Sequence, residues 1–111
     1  MHEFGLAEGV LETVRQRAAG RPVSRVRLRA GVRHGVDEES MAQAFSFVAA
    51  GTEADGAVLD LVAVPLRLSC PTCGYTEETF DVLAVCPRCD SDAVDLDGGD
   101  ELVLESLEYV R

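Results

Sequence analysis

A chain of 111 residues, 47% of them hydrophobic, is long enough for one compact domain with a small appendage and too apolar for wholesale disorder. Its net charge is −10, all ten basic residues are arginine, and this balance argues against a nucleic-acid backbone as the main ligand. No apolar run approaches the ~20 residues of a membrane span, and no secretory layout opens the chain, so a cytoplasmic protein is expected.

From about Phe4 to Ala19 the pattern is helical. Leu6, Val10, Val14 and Ala18 recur every four residues, and Glu8, Glu12, Arg15 and Gln16 fall on other faces. Gly20, Arg21 and Pro22 stop this helix. Val23 to about Val32 alternates, with Val26, Leu28, Ala30 and Val32 on one side and Arg25, Arg27 and Arg29 on the other. Period two with branched residues predicts a half-buried strand, and a solvated face explains the arginine row without a ligand. Asp37, Glu38 and Glu39 open a second helix, whose apolar face is Met41, Ala44, Phe45 and Val48 and which Gly51 ends. Leu59 to Leu68 reads as one buried strand, in which Pro65 loses a ladder bond and implies an edge or a bulge. Asp97-Gly98-Gly99 forms a turn, and Leu102 to Val110 a last strand.

Between these lie all four cysteines, as Cys70-Pro-Thr-Cys73-Gly74 and Cys86-Pro-Arg-Cys89, with twelve residues separating the pairs. Each Cys-x-x-Cys turn aims two thiolates at one point. Two such turns make the tetrahedral all-thiolate set that zinc favours in closed structural sites. Two disulfides are less compatible with a reducing cytosol. Iron remains a competitor, because Cys-Pro-x-Cys knuckles also resemble rubredoxin.

Strand one, helix two and strand two form a crossover unit, so those strands should be parallel and the last strand antiparallel. The expected fold is α+β: two helices on a three-stranded mixed sheet, with an inserted four-cysteine zinc-ribbon-like segment. A first helix of about 22 Å and a returning strand of about 33 Å bring the amino terminus, His34, Asp37 and the cysteine segment toward one pole.

The amino terminus is a second candidate metal site. A histidine at position two lets an α-amine, an amide nitrogen and the imidazole wrap one ion in small chelate rings, a set suited to Ni²⁺ or Cu²⁺. Glu3 can add an oxygen ligand, and Asp37 is either a further ligand or a plain helix cap. His34 reads as a solvated loop residue.

Met1-His2-Glu3-Phe4 leading into an amphipathic helix, with paired Cys-x-x-Cys motifs further on, resembles the HypA/HybF family of hydrogenase nickel-incorporation proteins. The resemblance extends through Val26-Arg-Leu-Arg-Ala-Gly31, Gly35-Val-Asp37 and Glu105-Ser-Leu-Glu108. It implies transferable Ni(II) on His2 and Glu3 with the Met1 amine, and structural Zn(II) on Cys70, Cys73, Cys86 and Cys89. It implies a nickel-binding αβ domain over residues 1–68 and 100–111 and a zinc-binding segment over 69–99. It also implies delivery of nickel to a HypB-like GTPase or a hydrogenase large-subunit precursor. One position departs: the family commonly has Ser at position five, where this chain has Gly5, a less specific cap.

The residues present no nucleophile–base pair and no phosphate loop, so a metallochaperone and not an enzyme is expected, as a monomer. The alternative is a zinc-ribbon module for nucleic acid or protein interaction. For nucleic acid it would need a basic surface, yet Arg88 is the only basic residue between Tyr75 and Asp100.

Overall fold

The computed structural model describes residues 2–111, leaving out the His2 side chain. In chain order its elements are α1 (His2–Ala18), β1 (Val23–Gly31), a 3-10 turn (Val32–His34), α2 (Glu38–Ala49), β2 (Val58–Val64), β3 (Leu66–Ser69), β4 (Thr76–Thr79), β5 (Asp95–Gly98) and β6 (Leu102–Tyr109). The strands form two sheets, ordered β2-β1-β6 and β4-β3-β5. The chain divides into two compact units. The first comprises Met1–Arg29, Val36–Val62 and Val103–Arg111, and the second Ala30–Gly35 and Ala63–Leu102.

The first unit is built on α1, α2 and the mixed sheet. Val10, Val14 and Ala18 of the predicted stripe are buried, but Leu6 is only half-buried and Ala7 takes its place on the buried face of α1. The buried residues join Val23, Val26 and Leu28 of β1 and Met41, Phe45 and Ala49 of α2 in one hydrophobic core. Burial at this density is what offsets the chain entropy lost on folding. Helix α2 carries the chain from β1 across to β2, a connection that sets those strands parallel. Hydrogen bonds show β6 running antiparallel to β1: Val110 N–H donates to the Pro22 carbonyl at 2.9 Å, and Gly31 N–H to the Glu101 carbonyl at 2.7 Å.

The arginine row of β1 faces carboxylates. Arg25 Nη1 lies 2.6 Å from Asp60 Oδ2, and Arg27 Nε 3.2 Å from Glu105 Oε2. Cross-strand pairs of opposite charge support a sheet face. Two of the three arginines are therefore engaged by the protein's own acids. The Arg25 guanidinium titrates above its ordinary range, chiefly through its hydrogen bond to Asp60.

Two expectations need correction. Helix α1 starts at His2 rather than Phe4, so His2 and Glu3 fall in its first turn. The apolar run Leu59–Leu68 is not one strand. It divides at Pro65 into β2 and β3, which belong to different sheets. Proline has no N–H to continue a ladder, so pairing lapses there and the chain changes partners.

The second unit rests on β3. It pairs antiparallel with β4, Ser69 opposite Thr76, and with β5, Ser69 opposite Asp95. Leu66 and Leu68 are fully buried, and β3 delivers the chain directly to Cys70. The turn after β5 passes against the 3-10 turn: Arg33 N–H donates to the Gly99 carbonyl at 2.8 Å, and the Arg33 side chain to the Leu96 and Gly98 carbonyls, both at 2.8 Å. Gly99 has φ 76°, a left-handed conformation that glycine adopts without strain.

Candidate metal centre

Each cysteine pair occupies a tight turn closed the same way. In the first, Gly74 N–H donates to the Cys70 carbonyl at 2.7 Å and Cys70 N–H to the Tyr75 carbonyl at 2.8 Å. In the second, Asp90 N–H donates to the Cys86 carbonyl at 2.9 Å and Cys86 N–H to the Ser91 carbonyl at 2.9 Å. The residue after each second cysteine is left-handed, Gly74 at φ 80° and Asp90 at φ 62°. Aspartate is one of the few residues other than glycine that tolerates this region. The two knuckles are therefore the same structure written twice, and a hydroxyl contact between Thr72 and Ser91 at 3.3 Å joins them.

The four sulfurs converge. Cys70 and Cys89 Sγ are 3.7 Å apart, Cys73 and Cys86 Sγ 3.6 Å, and all four lie within 4.8 Å of one another. These distances exclude disulfides, whose sulfurs sit at about 2.05 Å. A tetrahedron with metal–sulfur bonds of about 2.3 Å has edges of about 3.8 Å. The sulfurs are thus already spaced as ligands of one tetrahedral ion. Cys70 and Cys86 are buried, while Cys73 and Cys89 are exposed.

The protons of these thiols are poised unequally. The Cys73 N–H donates toward Cys70 Sγ and, against the opposing effect of burial, brings that thiol down to about 7. The Ser91 N–H favours the Cys89 thiolate, but burial and three neighbouring thiols outweigh it and push Cys89 up to about 12. Cys73 is raised in the same way, with the Tyr75 N–H opposing burial and Cys86. Four sulfurs this close do not all ionise by themselves. A divalent cation at their centre supplies the missing charge, and thiolate ligation is the chemistry this cluster fits.

The other sequence candidates are placed as follows. Glu3 lies in the first turn of α1, beside Phe4, whose ring centroid is 5.7 Å from that of Phe47. Glu3 and Phe4 line a cleft of about 280 Å³ with Ser40, Gln43 and Ala44. Met1 and the His2 side chain lie outside the described residues. Asp37 is the N-cap of α2: its Oδ2 accepts from the Ser40 N–H and the Ser40 hydroxyl, both at 3.0 Å. His34 Nε2 is 3.0 Å from the Asp100 carbonyl, which occupies that ring nitrogen. Among the described residues, the four cysteines are the group of histidine, cysteine and carboxylate side chains that converges for a metal ion.

The model of the family described as "Hydrogenase/urease nickel incorporation, metallochaperone, hypA" matches residues 1–109. The chain belongs to the HypA family. A hydrogenase maturation factor HypA from Dehalococcoides mccartyi is 35% identical over 97% of this chain and 93% of that protein. One from a Synechococcus species is 38% identical over 99% of this chain and all of its own. The solution structure of the nickel metallochaperone HypA from Helicobacter pylori superposes with a TM-score of 0.61 at 26% identity, covering 99% of this chain and 98% of that one. The family's role is nickel incorporation during hydrogenase maturation, which entails maturation partners, and the cysteine cluster is a metal site within it. No described helix is long and apolar enough to cross a membrane.

Sequence reasoning located the cysteines but not what rigidifies them. It missed the second sheet and the role of Asp90. The available signal was the position of Asp90 directly after Cys89, matching that of Gly74 after Cys73, since aspartate tolerates the left-handed region.

Proposed function

We propose that this chain binds Ni(II) at its amino terminus and delivers it, in the cytoplasm, for maturation of [NiFe]-hydrogenase. The four cysteines hold a structural Zn(II). Family membership over residues 1–109, a span that includes His2 and Glu3, carries this reading.

The chemistry of the two donor sets divides the metals. Soft thiolates in a tetrahedral array suit Zn²⁺, which has no redox chemistry and is held in closed sites without an open position. Ni²⁺ prefers square-planar nitrogen-rich ligation, and the His2 imidazole, amino-terminal nitrogens and Glu3 supply such a set. The first N–H groups of an α-helix have no intrahelical acceptor, so a metal recruiting amide nitrogens there breaks no ladder bond. The helix dipole places partial positive charge at the same end, which opposes a cation, and the Glu3 carboxylate offsets it. The balance gives a hold weak enough for release. A HypB-like GTPase and a hydrogenase large-subunit precursor are the proposed recipients.

The test is calorimetric titration of Ni(II) into the zinc-loaded chain with a free Met1 amine. His2→Ala should weaken binding by at least about tenfold, a loss seen even for outer-shell partners of metal ligands. Nickel affinity equal to wild type in that variant would overturn the nickel assignment. Metal analysis of the colourless or coloured protein settles zinc against iron.

A further inference from the structure

Between the two cysteine knuckles the chain makes a short loop whose large apolar side chains point to solvent. Phe80 is 58% exposed, Val82 45%, Leu83 85% and Val85 47%. Scattered surface hydrophobes are ordinary, but four within six residues form a patch.

The loop is built to keep that shape. The Asp81 N–H donates to Thr79 Oγ1 at 3.1 Å, the Leu83 N–H to Asp81 Oδ1 at 2.9 Å, and the Ala84 N–H to the Asp81 carbonyl at 3.2 Å. Asp81 thus ties its own turn from both side chain and backbone. One end of the loop leaves β4 at Thr79 and the other enters the buried Cys86. A preformed apolar loop loses little freedom when another surface covers it.

Charge selects the occupant. Between residues 69 and 99 the chain has seven carboxylates and a single arginine, Arg88. Glu77 and Glu78 lie on β4, immediately before the loop. Such a surround repels nucleic acid, an anionic membrane surface and a second copy of the same loop. We propose that residues 80–85 are a docking loop that inserts into an apolar cleft, rimmed by lysine and arginine side chains, on a partner protein. Apolar anchors supply the affinity and the acidic flank sets orientation and partner choice. This rests on the delivery role proposed above and locates the surface that delivery would use. A metal in the cysteine site would hold the Cys86 end of the loop.

The experiment places a photo-cross-linking amino acid at Leu83 in the full chain, expressed in its own host, and sequences the cross-linked peptide. The expected adduct is with a different protein, at apolar residues flanked by Lys or Arg. That partner, purified, is then titrated with wild type, Leu83→Ser and a Glu78→Arg variant. Leu83→Ser should weaken binding by about tenfold or more. The charge-reversed variant should weaken it several-fold in low salt and little at about 1 M salt, where exposed charges are screened. Leu83 is exposed, so an unchanged circular dichroism spectrum and metal content exclude misfolding. An adduct only with a second copy, with lipid or with nucleic acid, no adduct at all, or affinity unchanged by Leu83→Ser overturns the proposal. Nickel titration of Leu83→Ser separates the two readings: it should match wild type, and failure of nickel binding in wild type itself would sink the delivery role and not the docking loop.

Discussion

Replacing Gly31 by alanine should destabilise the metal-carrying unit by about 3 kcal/mol. A Cβ at this position would lie 2.0 Å from the Gly99 carbonyl oxygen, 2.1 Å from its carbon and 2.6 Å from the Asp100 nitrogen. Carbon atoms in contact prefer roughly 3.5–4 Å, so the backbone after β5 must retreat by more than an ångström. All three atoms are backbone, and no side chain can rotate away. Retreat strains the bonds that seat this turn, from Arg33 N–H to Gly99 and from Gly31 N–H to Glu101. It also disturbs Gly99, which lies against Leu66 and Val32. Overpacking of this kind costs about 1–3 kcal/mol, and a compromised hydrogen bond about 1 kcal/mol more. Because β5 pairs with β3, and β3 leads into Cys70, the distortion should reach the metal ligands. Urea denaturation measures the loss, and amide exchange along the β3–β5 ladder localises it. Gly9→Ala is the control. A Cβ there meets nothing within 4 Å, and alanine in α1 should be neutral or stabilising by up to about 1 kcal/mol. A Gly31→Ala variant within about 0.5 kcal/mol of wild type would refute the close approach of β1 and the Gly99 turn.

Stripping the metal with a strong chelator should abolish exchange protection at the Gly74, Asp90, Cys70 and Cys86 amides, which close the two knuckles. The helical signal of α1 and α2 should remain, and added Zn(II) should restore protection; unchanged exchange in metal-free protein would show that the knuckles hold themselves. Asp37→Asn tests whether that carboxylate caps or ligates. Its pKa is lowered by the Ser40 N–H and hydroxyl, so its stabilising effect is present above the ordinary carboxylate range and is lost as pH falls through the lower folded value. The thermal midpoints of variant and wild type should therefore converge in acid below about pH 4, while nickel affinity at neutral pH stays the same. Weaker nickel binding by the variant would instead make Asp37 a ligand.

Much of the fold was legible from local pattern. The repeat of Val10, Val14 and Ala18 and the alternation of β1 each obey one periodicity, and each reports a single buried face. The paired Cys-x-x-Cys turns were legible because ligand spacing is a local constraint. Asp37 was left between ligand and cap by sequence alone, and its two contacts from Ser40 are those of a cap.

What only the tertiary structure decided is non-local. Hydropathy made one strand of Leu59–Leu68, because both halves are apolar; partner choice on either side of Pro65 assigned them to separate sheets. The arginine row became a set of ion pairs only once Asp60 and Glu105 were brought opposite it. Gly31 carries no local signal of its role, since the atom it must accommodate is on Gly99, far along the chain. The cysteines followed the same division. Their identity as ligands was written in their spacing, but the convergence of four sulfurs to tetrahedral distances required both knuckles to close and β3 to hold the first in place.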